Sequence, residues 1–270
     1  MELRAVSYEV VDRTAVITLD RPARANAWTG RMHAEYLRCV AEAEADDGIR
    51  MIVVTGRGRT FCVGADSQAL EGHAQRAAYD DGLRGGEARP GYGVRPEFDH
   101  PFAFHFGLTK PVIAALNGAA AGVGLVLACY ADIRFAVPGA KLTTAHGKLN
   151  LPAEYGLSWL LPRMIGLPRA TELMLSSRVF LTDEAAELGL VHRLVPAEDL
   201  MPAVLAYCRE LASGVSRGSV AATKRQLYTD LHRDIGSAVQ DSLARMSPMM
   251  AEDDYRRGVD ALVERRPPAF

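Results

Sequence analysis

The feature that most constrains this chain is a run of 21 consecutive positions without a charged residue, from Pro111 to Ala131. A run of that length suits a membrane span or the interior of a folded core. Pro111, Asn117 and three glycines (Gly118, Gly122 and Gly124) interrupt it, and the whole chain has a mean hydropathy of −0.02. The Gly118–Gly122 spacing is that of close-packed membrane helices, but these interruptions argue against a span. The stretch divides into pieces instead. Residues 111–116 are an apolar run of strand length, Asn117-Gly118 is a turn signal, and a helical apolar segment covers 123–130. Strand, glycine-rich turn and helix N-terminus in that order leave backbone N–H groups unpaired, ready for an anion or a developing oxyanion. The glycines do not have GxGxxG spacing, so no dinucleotide site is indicated. That they only let a buried helix pack closely on a sheet stays open on these residues alone.

A second stretch repeats the logic. Residues 51–55 read as a buried strand, followed by Gly56-Arg57-Gly58-Arg59 and then Cys62-Val63-Gly64-Ala65-Asp66 before another helix. Gly64 permits close backbone approach, and Ala65 presents an N–H at the next helix start. Two such turns on neighbouring strands would point two donors at one oxygen, as an oxyanion hole requires.

Around these turns, alternation predicts strands at 7–9 and 14–19 joined near Asp12-Arg13, and strands at 132–137 and 191–195. Helical spacing predicts a helix over 30–45 through Met32, Tyr36, Leu37 and Val40. Residues 72–105, broken by glycines and prolines, read as a long loop or lid. Within it, His100 and His105 have no partners at metal-ligand spacing. Helices dominate after Gly166, over 168–176, 182–188, 197–213, 216–231, 235–246 and 252–264. This is an α/β core with a helical C-terminal part, the boundary placed at residues 1–200 and 201–270. A net charge of −2 gives no footprint for nucleic acid or anionic membrane. Four cysteines without a CxxC pair and an N-terminus without a signal pattern point to the cytoplasm.

Several motifs together resemble one family along nearly the full chain. They are Asp20-Arg21-Pro22 with Asn26-Ala27; Thr55-Gly56 with Phe61-Cys62-Val63-Gly64-Ala65-Asp66; Lys110-Pro111 through Asn117-Gly118 with Gly122-Val123-Gly124 and Ala131-Asp132; Leu160-Leu161-Pro162-Arg163; Glu187-Leu188-Gly189-Leu190-Val191; and the tail from Glu264 to Phe270. The chain resembles the enoyl-CoA hydratase/isomerase, or crotonase, superfamily. The resemblance implies a crotonase (ClpP-like) spiral of ββα units, with a C-terminal helical region for trimerisation and usually a dimer of trimers. It implies an acyl-CoA substrate, with coenzyme A entering as part of that substrate and no separate cofactor or metal. It further implies that the thioester carbonyl is held by the N–H groups of Ala65 and Val123. Arg24, Ala25, Ala27, Gly64, Asp66, Ser67, Gly122 and Arg265 fall at substrate- or CoA-binding positions, Arg265 acting on a neighbouring subunit's ligand.

The acid/base positions depart from the family's hydratases. Where those carry two glutamates, this chain has Val126 and His146. Valine transfers no proton, and losing one general acid–base group costs about 10²–10⁴ in rate. Glu154 falls where dienoyl-CoA and ring-opened phenylacetyl-type isomerases keep an aspartate. The expectation is therefore double-bond isomerisation with Glu154 as acid/base. Hydration or thioester hydrolysis assisted by His146, and an acyl-CoA-binding scaffold, are the alternatives. His146 is either a second acid/base or a polar wall of the pocket, and Glu154 is otherwise a loop acid or a helix cap.

Overall fold

The computed structural model describes residues 2–270. β1 (Val6–Val11) and β2 (Thr14–Leu19) form the expected hairpin, and α1 (Gly30–Ala45) follows, its start capped by the Thr29 hydroxyl. β3 (Met51–Gly56) and β4 (Thr60–Cys62) lead to α2 (Ser67–Arg76). β5 (Val112–Leu116) and β6 (Ala119–Ala121) lead to α3 (Val123–Tyr130). Next come β7 (Ile133–Ala136), β8 (Lys141–Thr143), α4 (Leu157–Ile165), α5 (Leu167–Ser176), β9 (Phe180–Leu181), α6 (Thr182–Glu187) and β10 (Arg193–Leu194). Four helices close the chain: α7 (Leu200–Gly214), α8 (Arg217–Asp230), α9 (Ile235–Met250) and α10 (Asp253–Val263).

The strands alternate between two sheets. β3, β5 and β7 lie side by side in a sheet ordered β1-β2-β3-β5-β7-β10, while β4, β6 and β8 follow one another in a second sheet ordered β4-β6-β8-β9. Both runs are parallel. Each strand pair thus contributes one strand to each sheet before its connection, which stacks successive turns of chain in register.

The apolar strands are continuous because the larger sheet is covered on both faces. On β3, Ile52 and Val54 point into the main core with Ile17, Met32 and Tyr36. Met51 and Val53 point the other way, with Ile113 and Phe135, onto Leu200, Val204 and Cys208 of α7. All four cysteines are buried and unpaired. α8 is tied back to the sheet by Asp132, which accepts from Lys224 Nζ at 2.7 Å, Tyr228 Oη at 2.6 Å and the Val112 N–H at 2.6 Å.

Sequence and structure differ at the short elements. β4, β6 and β8 are three residues each and carry no readable period. β6 is Ala119-Ala120-Ala121, a poor strand former made a strand by pairing on both sides. α2 continues through Gly72 to Arg76, shortening the expected loop, and α4 forms despite Pro162 inside it. Among the described residues no helix is long and apolar enough to cross a membrane.

Candidate active site

The glycines of the central stretch serve two ends. A Cβ on Gly124 would lie 2.2 Å from the Cys62 carbonyl oxygen, and one on Gly118 would lie 2.1 Å from that of Arg59. These two permit close packing. Gly64 and Gly122 instead turn the chain, with φ of +102° and +48°. Their turns converge: a Cβ on Gly122 would lie 3.9 Å from the Gly64 Cα.

The two donors follow from those turns. Ala65 is held in a short parallel bridge to Trp28, whose N–H donates to the Gly64 carbonyl at 2.8 Å while its carbonyl accepts from the Asp66 N–H at 2.9 Å. Val123 is the first residue of α3, whose first internal bond is Val126 N–H to the Gly122 carbonyl. Neither the Ala65 nor the Val123 N–H finds a hydrogen-bond acceptor among the described residues. At the other end of α3 the Arg134 guanidinium sits under the last carbonyls, donating to Ala128 and Ala131. A cation there complements the helix dipole and fixes the helix whose N-terminus faces the site.

Glu154 joins these donors. Its Oε2 is 3.6 Å from the Cβ position on Gly122. Ala65, Val123 and Glu154 line one cavity of about 670 Å³, together with Trp28, Leu149 and Leu151. Burial alone raises the pKa of the carboxyl, and among the described residues no cation offsets it. Glu154 is not a helix cap, since Gly156 occupies the N-cap of α4. Its neighbour Tyr155 takes a left-handed φ of 47°, and the Tyr130 hydroxyl of α3 donates to the Tyr155 carbonyl at 2.7 Å. The helix that supplies one donor thereby also holds the carboxylate's turn.

His146 is not brought to this cavity. Ala145 is left-handed at φ 60°, the turn over His146–Leu149 tucks the ring inward, and its Nδ1 is buried without a partner. The residues lining the cavity do not include it. Val126 lies in the apolar core on α3.

The segment expected to be a lid covers the cavity with His73, Tyr79, Asp80 and Arg84. It is pinned where the backbones of Gly82 and Gly30 meet and again where Gly91 meets Gly107. Tyr79 reaches down to hydrogen-bond the Tyr155 hydroxyl. His105 is committed elsewhere: it contacts the Phe102 carbonyl at 2.5 Å through Nδ1 and the Tyr36 hydroxyl at 2.7 Å through Nε2, and burial drops its pKa to about 4. Sequence alone does not single out Trp28, Tyr79 or Tyr155, because aromatic residues on a loop resemble core residues until they share a cavity.

The binding-position residues separate. Arg24, half exposed, pairs with Asp66 at 3.2 Å and reaches the Ser67 hydroxyl at 3.1 Å. Asp66 is buried, caps α2 through the Gln68 N–H and also pairs with Arg21 at 2.9 Å. Burial alone would raise its pKa; hydrogen bonds from Gln68, Arg21 and Arg24 outweigh burial and lower it. Asp66 therefore organises the loop that carries Arg24, Ala25 and Ala27, and does not itself face the cavity. Arg265 is exposed on the C-terminal tail at φ 54°.

The sequence pattern of the family described as enoyl-CoA hydratase/isomerase matches residues 10–270. The chain belongs to that family. It is an enzyme of the hydratase/isomerase type, with an α/β fold shared by solved members. It is 32% identical over 270 residues to the "Probable enoyl-CoA hydratase" of Rhodobacter capsulatus, covering 100% of this chain and 99% of that one. It is 34% identical over 265 residues to the 1,2-epoxyphenylacetyl-CoA isomerase of Escherichia coli, covering 94% and 93%. Against the crystal structure of an enoyl-CoA hydratase from Mycobacterium tuberculosis, the TM-score is 0.82 at 27% identity, with 98% and 97% covered. Hydratases and an isomerase thus lie at similar distance within the hydratase/isomerase family.

Proposed function

We propose that this enzyme moves the double bond of an enoyl-CoA between C2–C3 and C3–C4, with Glu154 as the single proton carrier. The observation that carries the reading is the closeness of the Glu154 carboxylate to the two donor turns. With the thioester oxygen between the Ala65 and Val123 N–H groups, the acidic C2 of a 3-enoyl-CoA lies beside that carboxylate. Glu154 takes a proton from C2; the C–H electrons become the C1–C2 double bond of an enolate, and the negative charge rests on the thioester oxygen. The enolate then collapses, the electrons of the C3–C4 double bond take the proton back from Glu154 at C4, and a 2-enoyl-CoA results. No atom is gained or lost. Each backbone donor contributes roughly 3–4 kcal/mol to the oxyanionic state, and a carboxyl raised by burial suits both halves of the transfer.

Hydration needs a second group to activate water, and the position of His146 away from the cavity supports the one-group shift. Coenzyme A enters as part of the substrate. Arg24 and, from a neighbouring copy, Arg265 are assigned to its phosphates. Self-association as a trimer or hexamer is assigned to α9 and α10, which expose Val239, Leu243, Met246 and Leu262. The accessible surface of 13350 Å² exceeds the roughly 11,500 Å² of a compact monomer of this mass, as expected of a chain with an uncovered arm. Incubation with 3-enoyl-CoA and 2-enoyl-CoA tests the chemistry by mass and thioester absorbance. Conversion at unchanged mass is expected; faster gain of one water overturns the reading.

A further inference from the structure

A second cavity, of about 400 Å³ and half open to solvent, is walled in part by Tyr155. Tyr155 lines both cavities, and it directly follows Glu154. An acyl chain held at the Ala65 and Val123 donors and directed past Glu154 towards Tyr155 would reach the boundary between the two cavities. The second cavity is walled by flat rings, notably Phe98, Phe106, Tyr130, Trp159 and His232. Phe98 and Phe106 meet edge to face at 5.9 Å, and Trp159 stacks on His232 at 5.1 Å. Among the described residues that line it there is no leucine, isoleucine, valine or methionine. Flexible aliphatic walls suit a bending alkyl tail, whereas rigid faces and edges suit a ring. A cavity of roughly 150 Å³ is enough for benzene, so this one is ample.

We infer that the second cavity receives the distal end of the acyl group and that this end is an aromatic or other six-membered ring. Tyr155 is the partition. Its backbone is fixed by the Tyr130 hydroxyl, while its ring is held by Phe102, edge-on at 4.9 Å, and by the lid's Tyr79 hydroxyl. Passage of a long acyl group between the cavities therefore requires the two tyrosine hydroxyls to part and the ring to turn. This inference rests on the acyl-CoA reading above and narrows its substrate class.

Calorimetry with butyryl-CoA, ω-phenylacyl-CoAs of increasing linker length and unbranched acyl-CoAs of equal carbon number tests it. At one linker length the phenyl compound binds about three- to tenfold tighter than its unbranched counterpart, the gain typical of aromatic pairing. Ala103→Trp fills the second cavity from a residue that lines it alone. It abolishes that preference and leaves butyryl-CoA affinity within twofold. Trp159→Ala, which empties the wall without crowding it, lowers the preference at least threefold if Ala103→Trp does not fold. Absence of a phenyl preference at every length, or equal loss of butyryl-CoA and phenylacyl-CoA binding in either folded variant, overturns the ring pocket while sparing the acyl-CoA reading. Absence of butyryl-CoA binding in the wild type overturns both.

Discussion

Glu154→Gln tests the centre of the mechanism. The substitution keeps the side chain's size and its place beside Gly122 but removes its capacity to carry a proton. The Ala65 and Val123 N–H groups belong to turns built by Gly64 and Gly122, and the carboxylate contributes no cation pair to them. Substrate affinity therefore stays within about twofold, because thioester binding rests on those backbone donors. The rate of double-bond migration falls by about 10²–10⁴, equivalent to about 2.7–5.5 kcal/mol of barrier. The assay is the rise in thioester absorbance as a 3-enoyl-CoA becomes conjugated, paired with loss of deuterium from C2-labelled substrate. In the wild type, the rate climbs with pH through an apparent pKa above the ordinary glutamate value, because burial disfavours the ionised base. The same sign applies to stability. A carboxyl whose folded pKa is raised costs the native state more as pH rises from the unfolded value of 4.5, so Glu154→Gln melts no lower than wild type at neutral pH. Retention of more than about a tenth of the wild-type rate, or collapse of binding together with rate, refutes the role of Glu154.

Three further outcomes are expected. Gly124→Ala lowers Tm and slows turnover, because the added methyl lies 2.2 Å from the Cys62 carbonyl oxygen; overpacking of roughly 1–3 kcal/mol outweighs the gain of about 1 kcal/mol in helix propensity, and a higher Tm by calorimetry refutes it. Asp66→Asn loses stability above the ordinary aspartate pKa of 3.8; the folded value is depressed, so the wild-type advantage is present above that pH and narrows as pH falls through the folded value, whereas urea midpoints offset equally at every pH argue against the ion pairs. Light scattering gives a mass that is a multiple of three of the 29.3 kDa chain, and Leu243→Glu with Met246→Glu dissociates it; a monomeric wild type at micromolar concentration rejects the assignment of α9 and α10.

Much of this protein is legible locally. β2, β3 and β5 follow from β-branched apolar runs, α1 from apolar spacing and α3 from a continuous apolar segment, because a sheet covered on both faces and a buried helix each leave a pattern in adjacent residues. The two glycine turns were legible too, since Gly64 and Gly122 mark the backbone conformations that only glycine adopts cheaply. Tertiary contacts decided the rest. β6 is a strand only because β4 and β8 flank it. Glu154 and His146 are eight residues apart and equally polar, yet the Tyr130 hydroxyl holds the turn of one at the donors while the left-handed Ala145 turns the other inward. Tyr155 lines two cavities at once, which no local pattern announces. Periodicity records which side of its own element a residue faces; which distant element it meets depends on the packing of the whole chain.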